Sequence, residues 1–517
     1  MKFPTKLFLA VLLAYALFAS GTVRSYDGAV MLAVTRSMVL GGSFEVPDLP
    51  DCKVGVDGKR YARYGIGTSL AALPWFLAGQ LAANLVSDDL VSDDIVSEFA
   101  VSWFNPVITA LACVVLYLLA VEVGLAAPLA AGCALVYAFG TGAFVQMKDF
   151  NSEPLVGLLL LAAIYYLLAL RKRPSWRQAA MVGACVGGLL LVRLACVVAI
   201  PVLLLGLIWI ALDGGRRGRI MRWLVAFAVP IVAAVALIAA YNYVRFGSPA
   251  EFGYPPSTFT FQLWRGLGMN LFSPEAGIFL YAPIVILFPL GAVLLWRTGP
   301  RATTLFALLF VAFLVLYAVS ASPTGGHSAG NRFLLVVMPY LVIFVGVVGQ
   351  RYQTRRWRGI LVTLVTISVL VQLPLVYTNV SYYYARRTSQ LELNQGHSSG
   401  RLTLTTDSIG QRFAKSLLVQ SWQIWAEVTH NALYRSQWLR SLAPRTARGA
   451  DAATLVAESR SFHLPYLWWV LAYYYGAPIW PVAAMMAALI IANCLAWMVL
   501  RRSWPDNRSG QPERALT

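Results

Sequence analysis

Charge is scarce in this chain. Only 12% of its 517 residues are Asp, Glu, Lys or Arg, about half of what a soluble chain carries. With 59% hydrophobic residues, that shortfall excludes an ordinary soluble enzyme. Acidic residues are the scarcer sign: 23 Asp and Glu stand against 41 Lys and Arg, a net charge of +18. The basic excess is scattered through short loops and forms no continuous surface, so nucleic acid is not an expected partner. Its simpler meaning is topological, since Lys and Arg hold cytoplasmic loops in place and meet anionic lipid. Cysteine is also sparse. Cys113, Cys133, Cys185, Cys196 and Cys494 fall in apolar runs, and Cys52 alone lies in a polar loop. No pair suits a loop disulfide and no CxxC suggests zinc. A solenoid-length repeat is missing too.

What is present is apolar blocks, several of about 18 residues or more without charge, the length that crosses a ~30 Å hydrocarbon core as helix. After a first apolar run at 1–20, spans are expected at roughly 101–123, 126–147, 153–170, 178–193, 195–212, 223–244, 275–296, 303–320, 333–349, 359–378 and 478–500. The first run also reads as a signal peptide with a loose cleavage site, but the spans that follow favour a transmembrane helix. Short basic loops test the list. Arg171, Lys172, Arg173 and Arg177 share one, and Arg216, Arg217, Arg219 and Arg222 another. Arg297 and Arg301 mark a third, Arg351, Arg355, Arg356 and Arg358 a fourth, and Arg501 and Arg502 follow the last span. Each basic loop stays cytoplasmic, so an even number of crossings must separate neighbours, and the list satisfies this. The fold class is therefore all-α and polytopic, with about twelve crossings and both termini cytoplasmic. Residues 65–86, apolar but excluded by parity, are expected to lie as a helix on the outer leaflet.

Two long outer segments follow, about 22–100 and 379–477. The expected division is 1–378 as the membrane module, 379–477 as an outer helical segment, and 478–517 as the last span with a polar, disordered tail. Within the second segment, "RFAKSLLVQSWQIWAEVTHNALYRSQWL" has the helical spacing of an amphipathic helix.

The residues able to do chemistry gather on the outer side. Asp27 follows the first span in "RSYDGAVMLAVTRSMV" and reads both as a surface carboxylate facing the bundle and as a helix N-cap. In "GKRYARYGIGTSL", Lys59, Arg60 and Arg63 alternate with Tyr61 and Tyr64. Cations so placed suit a lipid headgroup or phosphate, and equally anchor an interfacial helix. In "QMKDFNSEPLVGLL", Asp149 and Glu153 share a face if helical; helix initiation at Glu153-Pro154 is the plainer reading. Arg193 falls at the turn between two spans, either as a functional intramembrane charge or as an arginine reaching the outer headgroups. Arg245 ends a span. Arg332 opens another in "GGHSAGNRF", with His327 beside it. All four histidines lie on the outer side. The Asp88-Asp89 and Asp93-Asp94 pairs read as a solvated acidic loop, with a hard cation the alternative.

In this order, the elements resemble the GT-C glycosyltransferases, polytopic enzymes that use polyprenyl-phosphate sugars, such as protein O-mannosyltransferases and lipid A aminoarabinose transferases. The resemblance covers most of residues 1–350. It implies a large first outer loop with interfacial helices and a catalytic acid early in that loop, where Asp27 stands. "RYARYGIGTSL" falls where relatives carry a Tyr-x-Lys-Pro-Pro-Leu-like stretch, so Arg63 would replace the Lys; the Pro-Pro is missing here. "DFNSEP" resembles the acidic second outer loop, and "GGHSAGNRF" a Gly-Gly-x-x-x-Gly-x-Arg element. The implied function is inverting transfer of a sugar from polyprenyl phosphate to an acceptor hydroxyl on a glycan, lipid or protein, at the outer face of a bacterial inner membrane. Asp27 would be the base. Lys59, Arg60, Arg63, Arg193, Arg245 and Arg332 would meet the donor phosphate. Tyr64, Asp149, Glu153 and His327 would orient acceptor or sugar. A divalent metal is allowed but not required. Two rival classes share the layout: a transporter or lipid flippase, and a ligase or polymerase of lipid-linked glycans. The absence of two related halves weighs against the first. The topology is open to test: a membrane-impermeant maleimide added from the outside labels Cys52, and Cys52→Ser removes the signal. Labelling only after the membrane is opened contradicts the outer placement of the first loop.

Overall fold

The computed structural model describes residues 2–23, 25–49, 51–85, 93–213, 217–254, 259, 262–326, 328–378, 380, 383, 414–434, 467–474 and 478–505. Among them, eight helices are long and apolar enough to cross a membrane: Asp93–Glu122, Glu153–Lys172, Leu194–Asp213, Ile220–Phe246, Pro300–Ala318, Phe333–Arg351, Arg355–Tyr377 and Ile479–Arg502. Four shorter apolar helices join them, Phe3–Phe18, Ala127–Gly140, Trp176–Val192 and Pro283–Trp296. These elements are all-α because the apolar blocks must satisfy their backbone groups internally.

In chain order, α1 (Phe3–Phe18) leads to α2 (Tyr26–Leu40), a hairpin of β1 (Cys52–Val54) and β2 (Arg60–Ala62), then α3 (Gly67–Leu85), α4 (Asp93–Ser102) and α5 (Phe104–Glu122). The hairpin was not anticipated. Its strands are antiparallel with Lys53 opposite Tyr61, turning through Gly58 at φ +79°. Then come α6 (Ala127–Gly140), α7 (Ala143–Gln146), α8 (Glu153–Lys172), α9 (Trp176–Val192), α10 (Ala199–Asp213) and α11 (Ile220–Phe246). The remainder is α12 (Leu263–Phe272), α13 (Ile278–Tyr281), α14 (Phe288–Trp296), α15 (Pro300–Ala318), α16 (Met338–Arg351), α17 (Arg355–Tyr377), α18 (Leu417–Tyr434), α19 (Trp468–Tyr474) and α20 (Ile479–Arg502).

Two expected spans are corrected. The run 126–147 is not one helix: α6 ends at Gly140, Thr141 is extended, and α7 restarts two residues later. The run 275–296 also breaks. Ala282 leaves helical geometry before Pro283, as the residue preceding a proline tends to do, and a 3-10 turn over Pro283–Leu287 leads into α14. The amphipathic helix expected between 379 and 477 is α18. Its buried stripe, Leu417, Ser421, Ile424 and Val428, follows helical spacing and packs on α17.

The first and last helices meet. Asn493 in α20 donates to the Leu13 carbonyl of α1 at 2.5 Å, and the indoles of Trp468 and Trp469 in α19 donate to the Ala16 and Leu17 carbonyls at 2.8 and 3.0 Å. In α9, Gly183 and Gly187 stand four apart on the face that meets α11. A methyl carbon on Gly183 would lie 2.1 Å from the Phe227 carbonyl oxygen, and one on Gly187 2.9 Å from that of Pro230. Small residues so spaced let two membrane helices approach backbone to backbone. Gly183→Val must therefore separate α9 from α11. Overpacking of this kind costs about 1–3 kcal/mol, and thermal unfolding in detergent should show a lowered midpoint.

Candidate active site

Helix α2 starts the site. Ser25 caps it, its Oγ accepting from the Gly28 amide at 3.1 Å, so the expectation of Asp27 as N-cap is corrected. Asp27 sits inside the first turn, where the helix dipole favours an anion and the side chain is free to reach outward. The head of α2 presses on the loop before α8: a methyl carbon on Gly28 would lie 2.7 Å from the Phe150 carbonyl oxygen. Asp149 serves this junction. Its Oδ1 accepts from the amides of Ser25 at 3.2 Å and Phe150 at 2.9 Å. Residues 149–152 are not helical, so Asp149 and Glu153 do not share a helix face. Asp149 is turned to backbone, while Glu153 opens α8.

Both oxygens of Asp27 are engaged. Oδ2 meets Nη2 of Arg332 at 2.6 Å, a contact between residues 305 apart in the chain. Oδ1 accepts from the Tyr64 hydroxyl at 2.8 Å. Arg332 is brought there by the glycine-rich turn before it, where Gly325, Gly326 and Gly330 have φ of +93°, +74° and +68°. A side chain at Gly325 would collide with Arg332 itself. Nη1 of Arg332 donates to Oδ1 of Asn151 at 3.3 Å, and its Nε lies 3.6 Å from Oε1 of Glu153.

That same Glu153 oxygen accepts from Nη2 of Arg193 at 2.8 Å. Arg193 also donates to Ser152 Oγ at 3.2 Å and Tyr317 at 3.5 Å, and its guanidinium stands 4.6 Å from the centre of the Phe333 ring. Arg193 occupies the break between α9 and the 3-10 turn before α10. It is directed into the bundle, not toward headgroups. Arg63 joins at the rim through Asp51: Nη1 lies 3.5 Å from Asp51 Oδ1, and Asp51 Oδ2 lies 3.4 Å from the Tyr64 hydroxyl. Asp51 holds a left-handed backbone, φ +62°, an uncommon conformation for a residue with a side chain.

Among the described residues, Asp27, Asp51 and Glu153 thus interleave with Arg63, Arg193 and Arg332. Side-chain exposure falls from 51% at Asp51 through 19% at Asp27 to 2% at Glu153. The cluster therefore has a wet end at Asp51 and a sealed end at Glu153, with Asp27 between. Burial, with the Asp27 and Asp51 carboxylates beside it, pushes the Tyr64 hydroxyl well above the usual tyrosine range. Tyr64 is consequently a neutral donor throughout the physiological range.

Other expected residues sit elsewhere. Lys59 pairs with Glu45 at 2.8 Å and Arg60 with Asp48 at 3.0 Å, both between α2 and α3. Arg245 is buried against the hairpin. It donates to the Ala62 carbonyl, to Asn242 Oδ1 at 2.6 Å and to the Tyr241 carbonyl at 3.3 Å, so it braces the strand that leads to Arg63. His327, Asp88 and Asp89 lie outside the described residues. Asp94 pairs with Arg36 at 2.9 Å. No group of three or more His, Cys, Asp and Glu suited to a metal occurs among the described residues. Sequence reasoning missed Asp51, Asn151, Ser152, Tyr317 and Phe333. Asn151 and Ser152 lay inside a stretch already singled out, while Asp51 carried no signal beyond its charge.

Glu153 is the anion between two guanidinium groups, and removing one member of a buried ion cluster costs about 3–5 kcal/mol. Glu153→Leu should therefore destabilise the protein in detergent far more than Asp51→Asn at the exposed rim. Chemical denaturation of the two variants compares them, and equal losses would contradict the burial gradient.

No family model matches the chain, and no curated protein matches it. Among solved structures, it is similar to ArnT from Cupriavidus metallidurans bound to undecaprenyl phosphate, with 14% identity and a TM-score of 0.46 over 91% of this chain and 76% of that one. The apo form of that protein gives 13% and 0.48 over 90% and 75%. The apo oligosaccharyltransferase of Archaeoglobus fulgidus gives 12% and 0.45 over 93% and 72%. With identities this low and TM-scores under one half, these similarities assign no family.

Proposed function

We propose that the chain is a membrane glycosyltransferase that moves a sugar from a polyprenyl-phosphate donor to an acceptor hydroxyl, with inversion, at the outer face of a bacterial inner membrane. The observation that carries this reading is the Asp27–Arg332 contact of 2.6 Å, set at the ends of apolar helices and flanked by Tyr64, Arg63 and Arg193. A half-open carboxylate beside several guanidinium groups suits a reaction that needs a base and an anion clamp in one place.

The step follows from that pairing. An acceptor hydroxyl donates to Asp27, which takes its proton as the acceptor oxygen attacks the anomeric carbon. The bond from that carbon to the phosphate oxygen breaks, and the electron pair leaves with polyprenyl phosphate. Attack opposite the leaving group inverts the anomeric centre. The departing phosphate gains a negative charge, and Arg332, Arg193 and Arg63 stabilise it by charge-assisted hydrogen bonds fixed in advance. Tyr64, held neutral, keeps Asp27 oriented. Glu153, sealed behind the arginines, sets their spacing instead of touching sugar. Lys59, Arg60 and Arg245 act through the loop and hairpin that carry Arg63, and Asp149 through the head of α2. Membrane lipid is the second partner, because the donor must enter from the bilayer. A divalent metal is not needed for this step.

A general base contributes about 10²–10⁴-fold. Asp27→Asn should lose that much transfer from a polyprenyl-phosphate sugar to a hydroxyl acceptor in detergent. Glu122→Gln, whose carboxylate pairs with Lys172 at 3.0 Å near the basic 171–177 loop, should retain full activity. Undecaprenyl-phosphate and undecaprenyl-diphosphate sugars serve as parallel probes. Turnover of the diphosphate alone, or normal transfer by Asp27→Asn, contradicts the assignment.

A further inference from the structure

Behind the ion cluster runs a string of neutral amides that the proposed reaction does not use. Asn105, Gln146 and Asn151 are all buried, with 1%, 4% and 4% of their surface exposed. Gln146 Nε2 donates to the Ala329 carbonyl at 3.4 Å, which turns its Oε1 toward Asn151. Asn151 Nδ2 donates to that oxygen at 3.2 Å. The amide of Asn151 is thereby fixed: its nitrogen faces Gln146, and its Oδ1 faces Nη1 of Arg332 at 3.3 Å. Asn105 Nδ2 locks the backbone from the other side, donating to the carbonyls of Asn151 at 2.9 Å and of Asp149.

Arg332 consequently has two hydrogen-bonded partners, Asp27 on Nη2 and Asn151 on Nη1, with the Glu153 carboxylate 3.6 Å from Nε. The two carboxylates attract the guanidinium from any angle. The amide is the directional member, since a neutral acceptor rewards only a well-aligned N–H. We propose that Asn151 is a positioning residue that acts through Arg332: it fixes the rotation of the guanidinium and so sets how closely Arg332 covers the Asp27 carboxylate. Gln146 supports it by fixing the amide's orientation. The coupling of Asn151 to Asp27 stands on this geometry, and only its consequence for catalysis rests on the proposed transferase reading.

A carbodiimide must reach a carboxyl oxygen to react, and a well-seated Arg332 covers Oδ2 of Asp27. Dicyclohexylcarbodiimide is added to the detergent-purified full chain near neutral pH, and modification of Asp27 is followed by peptide mass spectrometry. Asn151→Leu should raise the rate at Asp27 by about three- to tenfold, the range for losing one hydrogen bond that seats the guanidinium. Arg332→Gln should raise it at least as much, and Asn151→Leu should add nothing in that background, the mark of two residues acting as one unit. Gln146→Leu should move the rate in the same direction by less. Gly183→Val, destabilising but remote, should leave it unchanged, which separates positioning from general loosening. Asn151→Ser replaces the leucine variant if that protein does not purify as a single species. If transfer is detectable, Asn151→Leu lowers kcat with little change in donor KM. An unchanged Asp27 rate in Asn151→Leu, or an equal rise with and without Arg332, overturns the proposal. The expected labelling pattern in a protein that transfers no sugar from any donor supports the positioning role and counts against the transferase reading alone.

Discussion

The site depends on one guanidinium, that of Arg332, held between carboxylates that lie 126 residues apart in the chain. Asp27 belongs to the first turn of α2 and Glu153 to the head of α8, and both reach the same side chain. An arginine this deep in an apolar bundle is costly to bury alone, and so are the carboxylates. Their mutual pairing lets α2, the 149–153 loop and the 325–332 turn share one position. Glu153 extends the constraint to Arg193 and hence to the break between α9 and α10. The ends of four segments are tied by this chain of charges, while apolar packing alone would allow them to slide.

The surrounding backbone serves that constraint. Glycines at 325, 326 and 330 adopt left-handed geometry and fold the turn tightly enough to aim Arg332 inward. Gly28 allows the head of α2 to rest on the Phe150 carbonyl. Deeper in the bundle and away from this centre, Gly183 and Gly187 let α9 and α11 touch. The exposure gradient from Asp51 to Glu153 then gives the cluster a direction. One end is open to a polar group from water, and the other is closed and structural.

Much of this is legible in the sequence, for a physical reason. In a chain with so few charges, an acid or arginine beside an apolar span stands out, and membrane parity assigns its side. Asp27, Glu153, Arg193 and Arg332 were visible on those grounds, and the structure brings them together. Neutral participants were not visible. Asn151, Tyr317 and Phe333 resemble any loop or helix residue until their partners are known. Asp51 was hidden because its role depends on a left-handed turn. The β1–β2 hairpin is masked by its own charges: "CKVGVDGKRYA" contains an Asp-Gly turn signal, yet its lysines and arginines equally suit headgroup contact. The breaks near Thr141 and Ala282 were overlooked because continuous hydrophobicity says where a chain can cross, not whether the helix runs unbroken.

The central claim is that Asp27 and Arg332 meet around one lipid-borne phosphate. Electron cryomicroscopy of the full chain in nanodiscs with undecaprenyl phosphate tests it most directly. The account predicts density for a phosphate within hydrogen-bonding distance of Arg332 and of Arg63 or Arg193, with the Asp27 carboxylate facing the space beside it. Phosphate density at the basic loops of the opposite face, with the Asp27–Arg332 pair undisturbed and shut off from the bilayer, would contradict it.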